Sequence, residues 1–302
     1  MHKLIWLAGL YLLLAGAPLA AAEITPSDVY VQVLRIEDEV RLIGAHWGIQ
    51  SNLDEPPLQL DLKPRHAWQK TYEVAVKINV LREKTGLPML AVNAMAPVTE
   101  IDPGLTYEQT QRILTELRLV KAHLGIPATP PPPPAVAGKT PQAVYNALDR
   151  VSRRLDRING ETFTPSYVFA QAMRVYEDVQ QLITALDIQD ATDAPAKRPG
   201  TTPAETLATA LGLLDELARI QRLLGIKPTD FSALRVPQPR SGDVFNVIQM
   251  AIAELQPIKV HYGLRYTLTP PAQHYTAKTP ADVQQVLGWV LDRLRLIKPR
   301  GL

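Results

Sequence analysis

Charged side chains recur at one fixed place in this sequence. Thirteen residues on from the start of each of eight similar stretches stand Glu39, Lys77, Glu116 and Arg154, then Asp178, Glu216, Glu254 and Arg293. A ring of carboxylates could move protons or hold a metal. A ring of mixed sign suits pairing between neighbouring helices instead, as flanking charges do in coiled coils. Arginine holds the same place in both halves, which favours pairing, each exposed pair contributing about 0–1 kcal/mol. A carboxylate-bridged two-metal bundle uses Glu-x-x-His on each of two helices, and residues 23–302 contain no such motif.

Histidine offers a second chemistry. His46, His123 and His261 share one repeat position, two residues before Gly48, Gly125 and Gly263. Cations there complement the helix dipole and bond the last carbonyls. The sharper alternative is a histidine cluster at one bundle end, binding zinc, copper or haem, if the first and third helices point the same way. His66 and His274 lie off this position and read as incidental. Signatures of phosphate loops, nucleophile elbows and zinc proteases are absent, so no catalytic residue is expected.

Aromatic and proline residues supply candidate contact surfaces. Tyr30, Tyr145, Phe169 and Phe245 each follow the first valine of their stretch and could hold proline-rich connectors, as aromatic grooves do. Thr71 and Thr85 interrupt the apolar seam beside Trp68 and Tyr72, and Pro130 to Pro134 form an unbroken run. The candidate ligand or partner surface comprises Trp47, Trp68, Tyr72, Tyr262, Pro131 and Pro132.

The elements that must position these residues are helices. Thr25-Pro26 gives a cap and a first-turn proline; Val29, Val33, Ile36, Val40, Ile43 and Trp47 follow at alternating spacings of four and three, presenting one seam to neighbours. Gly48 suits the left-handed helix stop, with Ile49 folding back over it. The plan recurs to predict helices over 25–47, 64–85, 106–124, 140–158, 164–187, 202–224, 241–262 and 279–297, the third and seventh capped by Thr106 and Ser241. Residues 25–158 match 164–297 at an offset of 139, slipping to 138 at the third and seventh helices. Caps, seam and stops agree in register. The expected fold is therefore all-α and internally duplicated: two tandem four-helix bundle-like units, 23–160 and 161–302, joined within themselves by long proline-rich connectors. A 14-residue proline-rich connector reaches ~43 Å, whereas a 22-residue helix is ~33 Å long. Successive helices could thus be parallel or antiparallel. Asn159 to Phe163 is too short for such a return and makes the fourth and fifth helices neighbours.

Composition narrows the function. The 302 residues include 27 prolines and no cysteine, and the net charge of +2 has no basic block, which excludes disulfides and argues against nucleic acid. Residues 1–22 have a short basic start, an apolar run from Leu4 to Gly16 and a small-residue end. They read as a secretory signal cleaved after Ala22, with a retained anchor as the alternative; no later segment could span a membrane. The expectation is a periplasmic or secreted, non-catalytic binding or scaffold protein of the cell envelope, with a protein partner and no cofactor. The alternative is a carrier of a small apolar ligand, metal or haem within or between the bundles.

Overall fold

The computed structural model of the chain describes residues 23–49, 59–90, 100–234, 236–264, 269 and 271–298. The expected signal segment 1–22 and the Pro56-Pro57 pair lie outside the described residues. Among those described there are eight helices and no strand: α1 (Pro26–His46), α2 (Pro64–Lys84), α3 (Pro103–His123), α4 (Pro141–Asn159), α5 (Pro165–Ala185), α6 (Pro203–Leu223), α7 (Ser241–His261) and α8 (Pro280–Arg295). The Thr25, Thr140, Thr202 and Thr279 hydroxyls accept the N–H groups of Asp28, Ala143, Glu205 and Asp282. At the far ends, Gly48, Gly86, Gly125, Gly225 and Gly263 adopt positive φ. The next residue then donates its N–H back across the last turn, as Ile49 does to Gly44 O at 2.9 Å.

Two expected caps differ. α3 begins at Pro103, and Asp102 Oδ1 accepts the Leu105 N–H at 2.9 Å; the Asp-Pro pair replaces Thr-Pro, and Thr106 is a buried residue of the first turn. Ser241 lies inside α7, with Asp243 accepting the Arg240 N–H at 2.8 Å.

Helix direction, open in the sequence, is parallel throughout each unit. Pro26, Pro64, Pro103 and Pro141 surround one small cavity on the axis of the first unit. Pro165, Pro203, Ser241 and Pro280 surround its counterpart in the second. All four N-termini of a unit thus meet at one end. α1 and α2 each pack on both α3 and α4, and α5 and α6 each pack on both α7 and α8, so the two units share one arrangement. The long connectors follow from this: each returns a full helix length, about 32 Å for the 21-residue helices.

Four parallel dipoles put like partial charges side by side at each end. Asp28, Glu205, Asp243 and Asp282 sit in first turns, and Lys84, Lys121, His123, Lys259, His261, Arg293 and Arg295 in last turns, where each offsets the local excess. The relative direction of the units supplies a further offset. α4 and α5 do not pack on each other despite their short junction; instead the start of α2 lies against the end of α7, so the second unit runs opposite to the first and their dipoles oppose. The units meet through α2 and α7. Each unit has its own apolar core, and Tyr72, Val76 and Tyr145 of the first unit join the core of the second.

Candidate functional site

The expected seam is the core, and the charged ring beside it is fully paired. Glu39 meets Lys121, Lys77 meets Glu73 and Asp156, Glu116 meets Arg82, and Arg154 meets Glu37. Asp178 meets Lys259, Glu216 meets Arg219, Glu254 meets Arg65 and His66, and Arg293 meets Asp190. Several pairs are buried rather than exposed, Glu39, Lys77, Asp178 and Glu254 among them. Buried carboxylates also take hydroxyls from the connectors: Thr229 Oγ1 donates to Glu254 at 2.9 Å and Thr269 Oγ1 to Asp178 at 2.6 Å. The ring therefore fastens the connectors as well as the helices.

The densest chemistry lies where α2 meets α7. α2 is enclosed on almost every side, so His66, Lys70, Glu73 and Lys77 are taken from water together with its apolar seam, and Arg65 is half-buried beside them. The sequence read His66 as incidental; it is instead a fully buried contact between the units. Its Nδ1 accepts the Lys63 N–H at 3.0 Å, so the ring proton resides on Nε2, 2.7 Å from Glu254 Oε1 in a bent contact. Arg65 Nη2 reaches the same oxygen at 2.8 Å, and Gln221 Nε2 donates to Oε2 at 2.6 Å. Burial would raise the Glu254 carboxyl, but His66, Arg65 and Gln221 together hold it at about 2. Burial outweighs Glu254 at His66 and pushes the imidazole below its ordinary range. The result is a neutral imidazole beside a buried carboxylate whose partners are all side chains of the protein itself.

A second cluster lies further along α2. Lys70 Nζ is 2.8 Å from Glu73 and 2.7 Å from Asp149 of α4; Lys77 Nζ is 2.6 Å from Asp156. Ser152 Oγ accepts from Lys77 at 2.6 Å and donates to Glu73 at 2.5 Å. A serine beside a lysine has the look of a nucleophile and its base. Here the lysine is an ammonium between carboxylates, and the serine proton is committed to Glu73, which Lys70 and Lys77 hold at about 2 against its burial. The pair fastens α2 to α4.

The remaining candidates separate. His46 and His123 lie at the C-terminal end of the first unit, both exposed. His123 Nε2 is 3.0 Å from Thr85 O. His261 lies at the other end of the molecule, lining a cavity with Lys63 and Pro64 at the start of α2. No group of three metal-binding side chains exists among the described residues. Trp47 is exposed beside Lys84, whose Nζ lies 5.7 Å from its ring centroid, and Tyr262 is half-buried against His261. Trp68 is buried against Ile101 and Leu105. Tyr30 and Phe169 hold connector lysines, Lys139 and Lys278, at 4.7 and 4.4 Å. Tyr145 and Phe245 belong to the inter-unit contact: Tyr145 Oη donates to Asn246 at 2.8 Å, and Phe245 stacks on Phe163.

Tyr72 lines a cleft of about 540 Å³ between α2, α5 and the connector before α8. Its other walls include Tyr167, Tyr275, Met89, Leu90 and Gln273. The lining is apolar or hydrogen-bonding, includes the His274 imidazole, and contains no carboxylate. Asn79 fixes the rim, its amide exchanging two bonds with the Leu90 backbone at 2.7 and 2.8 Å. Sequence reasoning reached Tyr72 but not Tyr167 or Tyr275, which belong to the second unit and meet Tyr72 only where the two units pack together.

No protein-family model, curated protein or solved structure matches the chain.

Proposed function

We propose that this chain is a periplasmic or secreted, non-catalytic scaffold or binding protein of the cell envelope, and that the cleft between its two units is the recognition surface. The observation that carries the reading is a division of labour. The charged ring and the carboxylates around α2 are spent on one another inside the molecule, while the opening between the units offers tyrosines, amides, one imidazole and apolar side chains. Such a lining recognises a partner by shape and hydrogen bonding. The apolar start and small-residue end of residues 1–22 support export, and no helix among the described residues is long and apolar enough to cross a membrane. A photo-crosslinker placed at Gln273, on the cleft wall, should give discrete adducts in the producing cell. Adducts from surface position Arg112 alone would overturn the reading.

The carrier reading has one observation in its favour, the size of the cleft, which lies within the range of small-ligand sites. The axial cavity of each bundle measures only about 10 Å³, room for one water at most. A carried molecule would therefore sit between the units, and native mass spectrometry of protein from its host would reveal it.

A further inference from the structure

Two connectors occupy the same place in the two units. In the first, Pro130, Pro133, Val136 and Lys139 are half-buried while the residues between them are exposed; in the second, Ala272, Tyr275 and Lys278 repeat that pattern. An inward turn at every third residue is the period of polyproline II. Each strap is pinned alike at its end: Lys139 N–H donates to Ser27 Oγ at 3.0 Å, and Lys278 N–H to Ser166 Oγ at 3.1 Å. Lys121 Nζ also holds Ala128 O at 2.8 Å. The first strap presents Pro131, Pro132 and Pro134 outward, whereas the second presents Gln273 and His274 at the places of Pro134 and Ala135.

The straps are therefore complementary. One is an immobilised polyproline ridge; the other forms a wall of the cleft, beside Tyr72, Tyr167 and Tyr275. A polyproline II helix has no internal hydrogen bonds, so its carbonyls need outside donors, and its ridges seat on aromatic faces. The cleft supplies both. The Tyr167 hydroxyl makes no hydrogen bond among the described residues, and Gln273 accepts from Tyr275 through Oε1, leaving its NH₂ to donate. A helix of this kind buries two of its three edges in such a groove. The strap leaves two edges outward, Pro131 with Pro134 and Pro132 with Ala135. Because the ridge is already ordered, little conformational entropy is lost on docking.

We propose that the cleft receives a polyproline II segment, and that its occupant is Pro130–Pro134 of a second copy of this chain. The inference rests on reading the cleft as a recognition surface. Ridge and cleft are different surfaces, so the contact is head-to-tail, and assembly grows with concentration rather than stopping at a symmetric dimer.

The test uses the full chain and a fluorescent peptide of residues 127–136. Fluorescence polarisation should show saturable binding, weakened about tenfold by Tyr275→Ala and less by Tyr167→Phe, which keeps the ring and loses only the donor. Sedimentation should show concentration-dependent growth of the native chain. Both Tyr275→Ala and the ridge variant Pro131→Ala/Pro132→Ala/Pro134→Ala should stay monomeric. Mixed together, they should form a one-to-one dimer, since one retains the ridge and the other the cleft. The peptide also reports on the ridge variant directly, because its intact cleft must still bind. A native chain that stays monomeric while binding the peptide overturns the second copy as occupant. Absence of peptide binding overturns the polyproline assignment, and persistent Gln273 crosslinks in the cell would then leave the broader reading standing.

Discussion

α2 and α6 hold the same position in the two units and have opposite surroundings. α6 is an ordinary surface helix: its seam from Leu207 to Ile220 is buried, while Glu205, Asp215 and Arg222 face water. α2 carries the same seam in weaker form and is enclosed on its flanks as well. Buried Val76 stands where α6 has exposed Asp215, and buried Lys70 where α6 has Thr209. The units meet through the second helix of one and the third of the other, and α3 and α6 make no matching contact. The pairing is thus heterologous. The outer faces of α3 and α6 instead expose Glu108, Arg112 and Arg118, and Glu205, Asp215 and Arg222. A bundle seam specifies a unit; the flank of one helix specifies how units combine.

The largest expected effect comes from breaking that flank. Lys77→Ala leaves Glu73 and Asp156 facing each other with their shared ammonium gone, and removing one partner of a buried ion pair costs about 3–5 kcal/mol. The substitution at the equivalent place in the second unit, Glu216→Ala, breaks a pair whose arginine is 35% exposed, and should cost about 1 kcal/mol or less. Urea denaturation of the two variants measures the contrast. Equal losses would mean that α2 is no more enclosed than α6.

Acid should act on the buried charges around α2 in two stages. His66 is neutral in the fold and its pKa lies below the ordinary 6.5, so the unfolded chain takes up the proton first as pH falls. Its contribution is full above about 6.5 and declines below it. Glu73 and Glu254 are held at about 2 against an ordinary 4.5. Their stabilisation is present above about 4.5 and lost as pH falls toward 2. Stability measured across this range should therefore fall gently and then steeply. His66→Gln should remove the upper limb and shrink the Glu254 share of the lower one, while the Glu73 share, which Lys70 and Lys77 set, persists.

These two experiments touch what the sequence did not make legible. The seam, the caps and the glycine stops follow from local geometry, so every helix was readable, and Val29, Val33, Ile36, Val40 and Ile43 are buried as their spacing predicts. Direction was not readable, because the connectors are long enough for either course; only the convergence of the prolines settles it. The inter-unit contact was hidden for another reason. Lys70, Glu73 and Lys77 look like the solvated flank of any bundle helix, and only their burial sets them apart. A signal did exist: α2 places Thr71 in its seam and Trp68 on its flank, the pattern of a helix without a solvent face. The Asp102-Pro103 start was also present, concealed by the change from Thr to Asp.

The smallest comparison concerns the two straps. Gly138 and Ala277 are equivalent, and both are left-handed, with φ of 70° and 56°. Left-handed backbone costs a residue with a Cβ about 1–2 kcal/mol, while glycine adds about 0.4–1 kcal/mol of unfolded-chain entropy. The first figure is the larger, so Ala277→Gly should stabilise the fold by about 0.5 kcal/mol. Gly138→Ala should destabilise it by a similar amount. A Cβ at Gly138 meets nothing within 4 Å, so backbone conformation alone decides that sign. Thermal unfolding of the pair, each against the parent chain, should give shifts of opposite direction. Shifts in the same direction would mean that the two straps do not share one backbone path, and with it the basis for treating one as the counterpart of the other would be lost.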